Sequence, residues 1–242
     1  MYHKKGFTLA ELLITLGIIG VVAALTLPTL IQKQQDKILI SQIKKTWADI
    51  NNSILLYQQD NGVLNDNSLL FNDKDSAETV AKNWAKYFQG AKVCLRSSDK
   101  GCSQFNYDTK YATRWLKEDG SQKSGRMGFP KIILSDGAII SVGTNRSGCK
   151  PTEYTATLVN SDGQPIKNPD GTNKTHTYTS DVCANIAFDV NGAKKPNQYG
   201  RDTFHFWVHQ TKLKNTTSEK YLGGKTIQNI LSGKDKFEYE NY

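Results

Sequence analysis

From Phe7 to Ile31 the chain carries one charged side chain, Glu11, in an otherwise apolar run. Wound as a helix at about 1.5 Å per residue, that run reaches about 37 Å, enough to cross a hydrocarbon core of about 30 Å. The rest of the 242 residues is polar and turn-rich, which brings the mean hydropathy of the whole chain to −0.54. The apolar residues are thus gathered at one end. This predicts a membrane-spanning helix followed by one water-soluble domain of ordinary size. A secretory signal would stop near Val22, Ala23 and Ala24, whereas this run continues through Leu25, Leu27, Leu30 and Ile31. Lys4 and Lys5 lie on the short side and predict that the start of the chain faces the cytoplasm, with the domain outside.

The formal net charge is +8, with basic residues scattered rather than gathered in a stripe. Such a surface attracts anionic lipid weakly and lacks the basic stripe of a dedicated nucleic-acid binder. The cysteines are Cys94, Cys102, Cys149 and Cys183, with no C-x-x-C spacing to favour zinc. An even number in an exported domain points to disulfides; in a reducing compartment all would stay thiols. The short polar loop CLRSSDKGC favours pairing Cys94 with Cys102, which leaves Cys149 with Cys183, and the other two pairings remain open.

A carboxylate inside an apolar helix costs about 2.5–3.5 kcal/mol at the bilayer centre and less near its edge. Glu11 therefore either snorkels to the headgroups or meets a partner. Its neighbours favour the second reading. Lys4-Lys5-Gly6-Phe7-Thr8-Leu9-Ala10-Glu11-Leu12-Leu13 resembles the prepilin cleavage and methylation motif of type IV pilins and type II secretion pseudopilins, and Pro28 falls where many members have a helix-bending proline. The resemblance covers about the first 30 residues.

It implies a leader of residues 1–6, a transmembrane assembly helix of residues 7–31 and a head of residues 32–242. Prepilin peptidase would cut after Gly6, removing Lys4 and Lys5, and would N-methylate Phe7. Glu11 would then neutralise the terminal amine of Phe7 in the adjacent subunit. Opposite charges attract strongly where water is excluded, so only an aligned neighbour would satisfy the carboxylate. The implied partners are the peptidase and methyltransferase, other pilin or pseudopilin subunits, the inner-membrane assembly platform and membrane lipid. The implied location is the cytoplasmic membrane, crossed once with the head outside, and the cell surface or periplasm after assembly.

Beyond Ile31, Leu39, Ile43, Trp47, Ile50, Ile54 and Tyr57 recur at spacings of four and three. This amphipathic stripe predicts that the helix continues to about residue 60. Pro28 removes one backbone donor and should kink or locally open it. Asp75-Ser76-Ala77-Glu78 reads as a capping box opening a second helix over about 76–89, with Val80, Trp84 and Phe88 inward. Residues 94–128 are polar and read as irregular. Strand signals then occupy about 129–210. Lys131–Leu134 and Ala138–Val142 flank an Asp-Gly turn, and Tyr154–Val159, Cys183–Val190 and Thr203–His209 follow. Gly163–Lys174 reads as a turn-rich excursion, and a weak helix falls near Lys225–Leu231. The fold class is therefore α+β, a long helix laid on an antiparallel sheet.

The loop from Asp189 to Asp202 is rich in oxygen donors. Asp189, Asn191, Asn197 and Asp202 could contribute to a calcium shell, and some pilin-like heads hold calcium in such loops. The same residues also form turns by bonding their own backbone. His205 and His209 are four apart, but on a strand that separates them by about 13 Å. No Gly-x-Ser-x-Gly, His-Glu-x-x-His or phosphate loop is present, so the chain reads as a structural subunit of a pilus or secretion pseudopilus rather than an enzyme. The alternative is an uncut, membrane-anchored module whose head binds an envelope ligand.

Overall fold

The computed structural model describes residues 8–112, 124–144, 147–160, 164–215 and 225–237. It divides into two compact units, Met1–Ser41 and Gln42–Tyr242. Helix α1, Leu9–Asp60, passes through both and continues unbroken through Pro28. In the first unit every large side chain of the apolar run is exposed, from Leu9 through Ile31, on all sides of the helix. A helix that is apolar all round suits lipid or a bundle of other helices.

The second unit is an α+β head of pilin-like architecture, a helix laid on an antiparallel sheet. The sheet has six strands in the order β1 (Lys92–Cys94), β4 (Lys131–Ile133), β5 (Ile139–Thr144), β8 (Val182–Asp189), β9 (Thr203–His209) and β10 (Leu213–Asn215), all antiparallel. The Asp-Gly turn sets the β4–β5 register, in which Ile133 faces Ile139. Because side chains alternate, one face carries Ile132, Ile140, Val142, Ile186, Phe188, Phe204, Phe206 and Val208, all buried. The Gln42–Asp60 part of α1 covers this face. Trp47 meets Phe206 edge-on with ring centroids 5.1 Å apart, and Phe188 at 6.1 Å.

The buried stripe on α1 differs from a purely apolar one. Ile43, Ile50 and Ile54 are buried, but so are Thr46, Ser53 and Gln58, while Trp47 and Tyr57 are half-buried. The polar members have partners. Ser53 Oγ accepts from Trp84 Nε1 at 2.8 Å, and Gln58 Nε2 donates to Asn67 Oδ1 at 2.8 Å. Helix α2, Ala77–Ala85, buries Val80, Ala81 and Trp84 beside α1, and Trp84 contacts Phe71 and Phe88. Its cap is Ser76, whose hydroxyl accepts from the Thr79 N–H. The expected box starting at Asp75 is thus shifted by one residue. Asp75 accepts from Asn72 Nδ2 instead, which leaves Glu78 at the second helical position.

The opposite face of the sheet presents Ile133, Ile139 and Ala187. These pack with the bonded pair Cys94 and Cys102, Met127 and Tyr199, flanked by Phe105, Tyr107, Tyr111 and Phe129. The segment expected to be irregular therefore supplies β1, a 3-10 turn at Ser103–Phe105, and the short pair β2 (Thr109–Lys110) and β3 (Ser124–Gly125). Its aromatic side chains form a third layer over the sheet.

Strands β6 (Thr152–Thr157) and β7 (Thr175–Ser180) make a separate two-stranded arm. The turn-rich stretch between them continues the ladder through the bridges Val159–Pro165 and Lys167–Asn173. Nearly every arm residue is exposed. A disulfide between Cys149 and Cys183, with Cα atoms 4.2 Å apart, closes its base. A short helix α3, Ile227–Leu231, buries Ile227 and Ile230.

Candidate assembly site

Helix α1 begins with a reciprocal cap. Thr8 Oγ1 accepts from the Glu11 N–H at 3.2 Å, while Glu11 Oε2 accepts from both the N–H and the hydroxyl of Thr8, each at 2.8 Å. This is a capping box, with Thr8 as N-cap and Glu11 three residues on. The expectation that only a neighbouring subunit can satisfy Glu11 needs correcting, because the chain supplies two donors of its own. Both converge on Oε2, and Oε1 accepts no hydrogen bond among the described residues. The cap thus fixes the rotamer of the carboxylate within the first turn. Gly6 and Phe7, the expected cleavage and methylation positions, lie outside the described residues.

Pro28 sits between two threonines that bond back along the helix. Thr26 Oγ1 donates to the Val22 carbonyl at 2.8 Å and Thr29 Oγ1 to the Thr26 carbonyl at 2.8 Å. These bonds keep hydroxyls off the apolar surface near the proline. Gly17 and Gly20 have no heavy atom within 4 Å of where a Cβ would stand.

In the head, the loop after β8 does bring Asp189 and Asp202 together, both fully buried. Asp189 Oδ1 accepts from the N–H groups of Asn191 and Gly192, and its Oδ2 from the hydroxyls of Tyr107 and Thr203. Asp202 accepts from the N–H groups of Asn197 and Gln198 at 2.8 and 2.7 Å. The side-chain amides of Asn191 and Asn197, turned to satisfy their surroundings, donate to Asp189 Oδ1 and to the Gly192 carbonyl. Gly192 has a φ of +67°, and a Cβ there would stand 2.8 Å from the Gly137 carbonyl, so the loop lies tight against the β4–β5 turn. This donor set does not fit a calcium shell. The ion needs oxygens turned toward a common point, and here N–H and O–H groups already occupy the carboxylates. Among the described residues no three His, Cys, Asp or Glu side chains gather as metal ligands.

Lys131, unremarked in the sequence, is buried completely on the same face. Its ammonium lies 4.6 Å from the Phe129 ring centroid and 5.4 Å from that of Tyr107, and it donates to the Phe105 carbonyl. Burial lowers its pKa to about 8, against the opposing pull of Asp189. Desolvation raises the Asp189 pKa, as does the neighbouring Asp202, whose own is pushed up to about 6 by burial. His205 is held neutral, its pKa lowered to about 4 by burial. His209 Nδ1 lies 2.8 Å from Asp181 Oδ1. The two histidines lie on strand β9, as the alternation predicted. The only sequence signal for Lys131 was a charged residue opening a strongly apolar strand.

Residues 1–27 match the family model described as the prokaryotic N-terminal methylation motif, the prepilin-type motif of type IV pilins and pseudopilins. No curated protein and no solved structure matches the chain. The chain therefore joins a prepilin-type N-terminus to a pilin-like α+β head. The motif points to a structural subunit, not an enzyme, and supports a type IV pilin-like or pseudopilin subunit.

Proposed function

We propose that this chain is a structural subunit of a type IV pilus or a type II secretion pseudopilus. It is cut after Gly6 by prepilin peptidase and N-methylated on Phe7, and it polymerises through the apolar half of α1. The observation that carries the reading is the pairing of the methylation motif over residues 1–27 with a helix whose apolar surface is exposed on every side. That helix is also long and apolar enough to cross a membrane. Before assembly the subunit is held in the cytoplasmic membrane with its head outside. On entry to the filament, Glu11 Oε1 meets the methylated amine of the adjacent Phe7 while Thr8 keeps Oε2 in place. Exchanging lipid for neighbouring helices costs little, because both surroundings are apolar and packing decides the balance.

Mass spectrometry of the mature N-terminus tests this reading. A chain starting at methylated Phe7 is expected. An intact Met1 in the working protein would replace the filament subunit with a plain membrane-anchored module.

A further inference from the structure

Between α1, the turn after α2 and the β4–β5 turn, the head holds a cleft of about 260 Å³. Both of its walls are pinned to α1. On one side Ser53 Oγ, buried in the helix face, accepts from Trp84 Nε1 of α2 at 2.8 Å. On the other, Lys45 Nζ donates to Asp136 Oδ2 in the β4–β5 turn at 2.6 Å and to Asp49 Oδ2 at 2.9 Å. Gly90, with a φ of +70°, brings the chain after α2 against that turn, since a Cβ there would stand 3.6 Å from Ser135 Cβ. The shape of the cleft is thus set by the fold itself, as binding pockets usually are.

Its chemistry is mixed. Leu56, Phe88 and Leu134 supply apolar surface. Asn52, Gln89 and Ser135 line the same space, and their side chains make no hydrogen bond among the described residues. Two amides and a hydroxyl offer donors and acceptors together. Asp49 engages Lys45 through Oδ2, which leaves its Oδ1 as a further acceptor. The charges in the cleft are already paired. Lys45 lies between two carboxylates, so it has no spare charge for an anion, and its own ammonium repels a cation. What suits this lining is an uncharged ring with hydroxyls on its edge and C–H groups on its faces.

We propose that the cleft binds one neutral saccharide unit, its ring against Leu56, Phe88 and Leu134 and its hydroxyls bonded by Asn52, Gln89, Ser135 and Asp49. Size limits the ligand to a single ring, because sites for larger molecules run to about 300–1,000 Å³. The site belongs to the head alone. It adds recognition of a sugar to the subunit reading and does not depend on polymerisation.

Saturation-transfer NMR tests it, using the full chain in a detergent without a sugar headgroup. The probes are glucose, galactose, mannose and N-acetylglucosamine. Transfer to at least one of them is expected, saturating in the millimolar range. Two variants locate the binding. Asn52→Ala combined with Gln89→Ala removes the amides, and Ser135→Trp fills the space; each should weaken binding at least tenfold. All three positions are exposed, so both proteins should keep the urea midpoint of the unaltered chain. No transfer to any of the four sugars, or transfer that both variants leave intact, would overturn the site. Transfer to acetate or tetramethylammonium but to no sugar would overturn the choice of a neutral ligand.

Discussion

The Tyr107 hydroxyl donates to Asp189 Oδ2 at 3.0 Å and so fastens the aromatic layer to the centre of the sheet. Asp189 closes strand β8 and Tyr107 lies in the segment that covers it, so one bond joins two layers. Tyr107→Phe keeps the ring and removes only this donor. Stability should fall by about 1–2 kcal/mol, read as a lower urea midpoint of the detergent-solubilised chain with an unchanged slope.

Lys131 gives the head an alkaline signature. Its pKa lies near 8 when folded, below the ordinary value of 10.5, so from pH 8 upward the unfolded chain binds more protons than the folded one. Stability should therefore rise between pH 8 and pH 10. Lys131→Met, which keeps the aliphatic stem and removes the charge, should flatten that rise. Denaturant midpoints measured across this window check it, and an unaltered slope in the variant would discount the buried ammonium.

The bonds Cys94–Cys102 and Cys149–Cys183 close loops with separations of 8 and 34 residues. Loop entropy alone assigns about 2.5 kcal/mol to the shorter and about 4 kcal/mol to the longer. Paired Cys→Ala variants should destabilise the head in that order. Equal losses would mean that burial of Cys94 and Cys102 in the core offsets the difference in loop length.

Glu11 has two roles that separate by substitution. Glu11→Gln keeps a side chain able to cap the helix but removes the negative charge, whereas Thr8→Ala removes the cap and keeps the charge. If charge pairing drives assembly, Glu11→Gln should cut fibre yield at least tenfold with membrane insertion intact. Thr8→Ala should cost about 1 kcal/mol of helix stability and lower yield only modestly. Fibre recovery by shearing, set beside membrane content, distinguishes them.

Much of this head could be read from its letters. The Asp-Gly turn between Leu134 and Ala138 and the alternation of Phe204, Phe206 and Val208 signal a hairpin and a strand through the period of two, and both are present. Strand β7 left no such mark. Thr175–Ser180 is exposed on both faces, so nothing forces apolar and polar residues to alternate. Strand β1 is only three residues long and owes its place to pairing with Lys131–Ile133, a long-range contact invisible to local pattern. The acidic loop was legible as a site of oxygen donors. Which groups would face those oxygens was not, because Tyr107 comes from a segment 82 residues earlier. Lys131 escaped for a similar reason, since a lysine reads as surface until its aromatic lid is known.

The packing of Trp47 on Phe188 and Phe206 has a mechanical consequence. Those two residues lie on β8 and β9, the neighbouring strands with the longest run of backbone pairing in the sheet. Tension applied along α1 therefore enters the head at a seam where many hydrogen bonds share the load, rather than at a short edge strand such as β1 or β10. In the proposed fibre, a pull on α1 would thus reach each head through its most extensively paired strands.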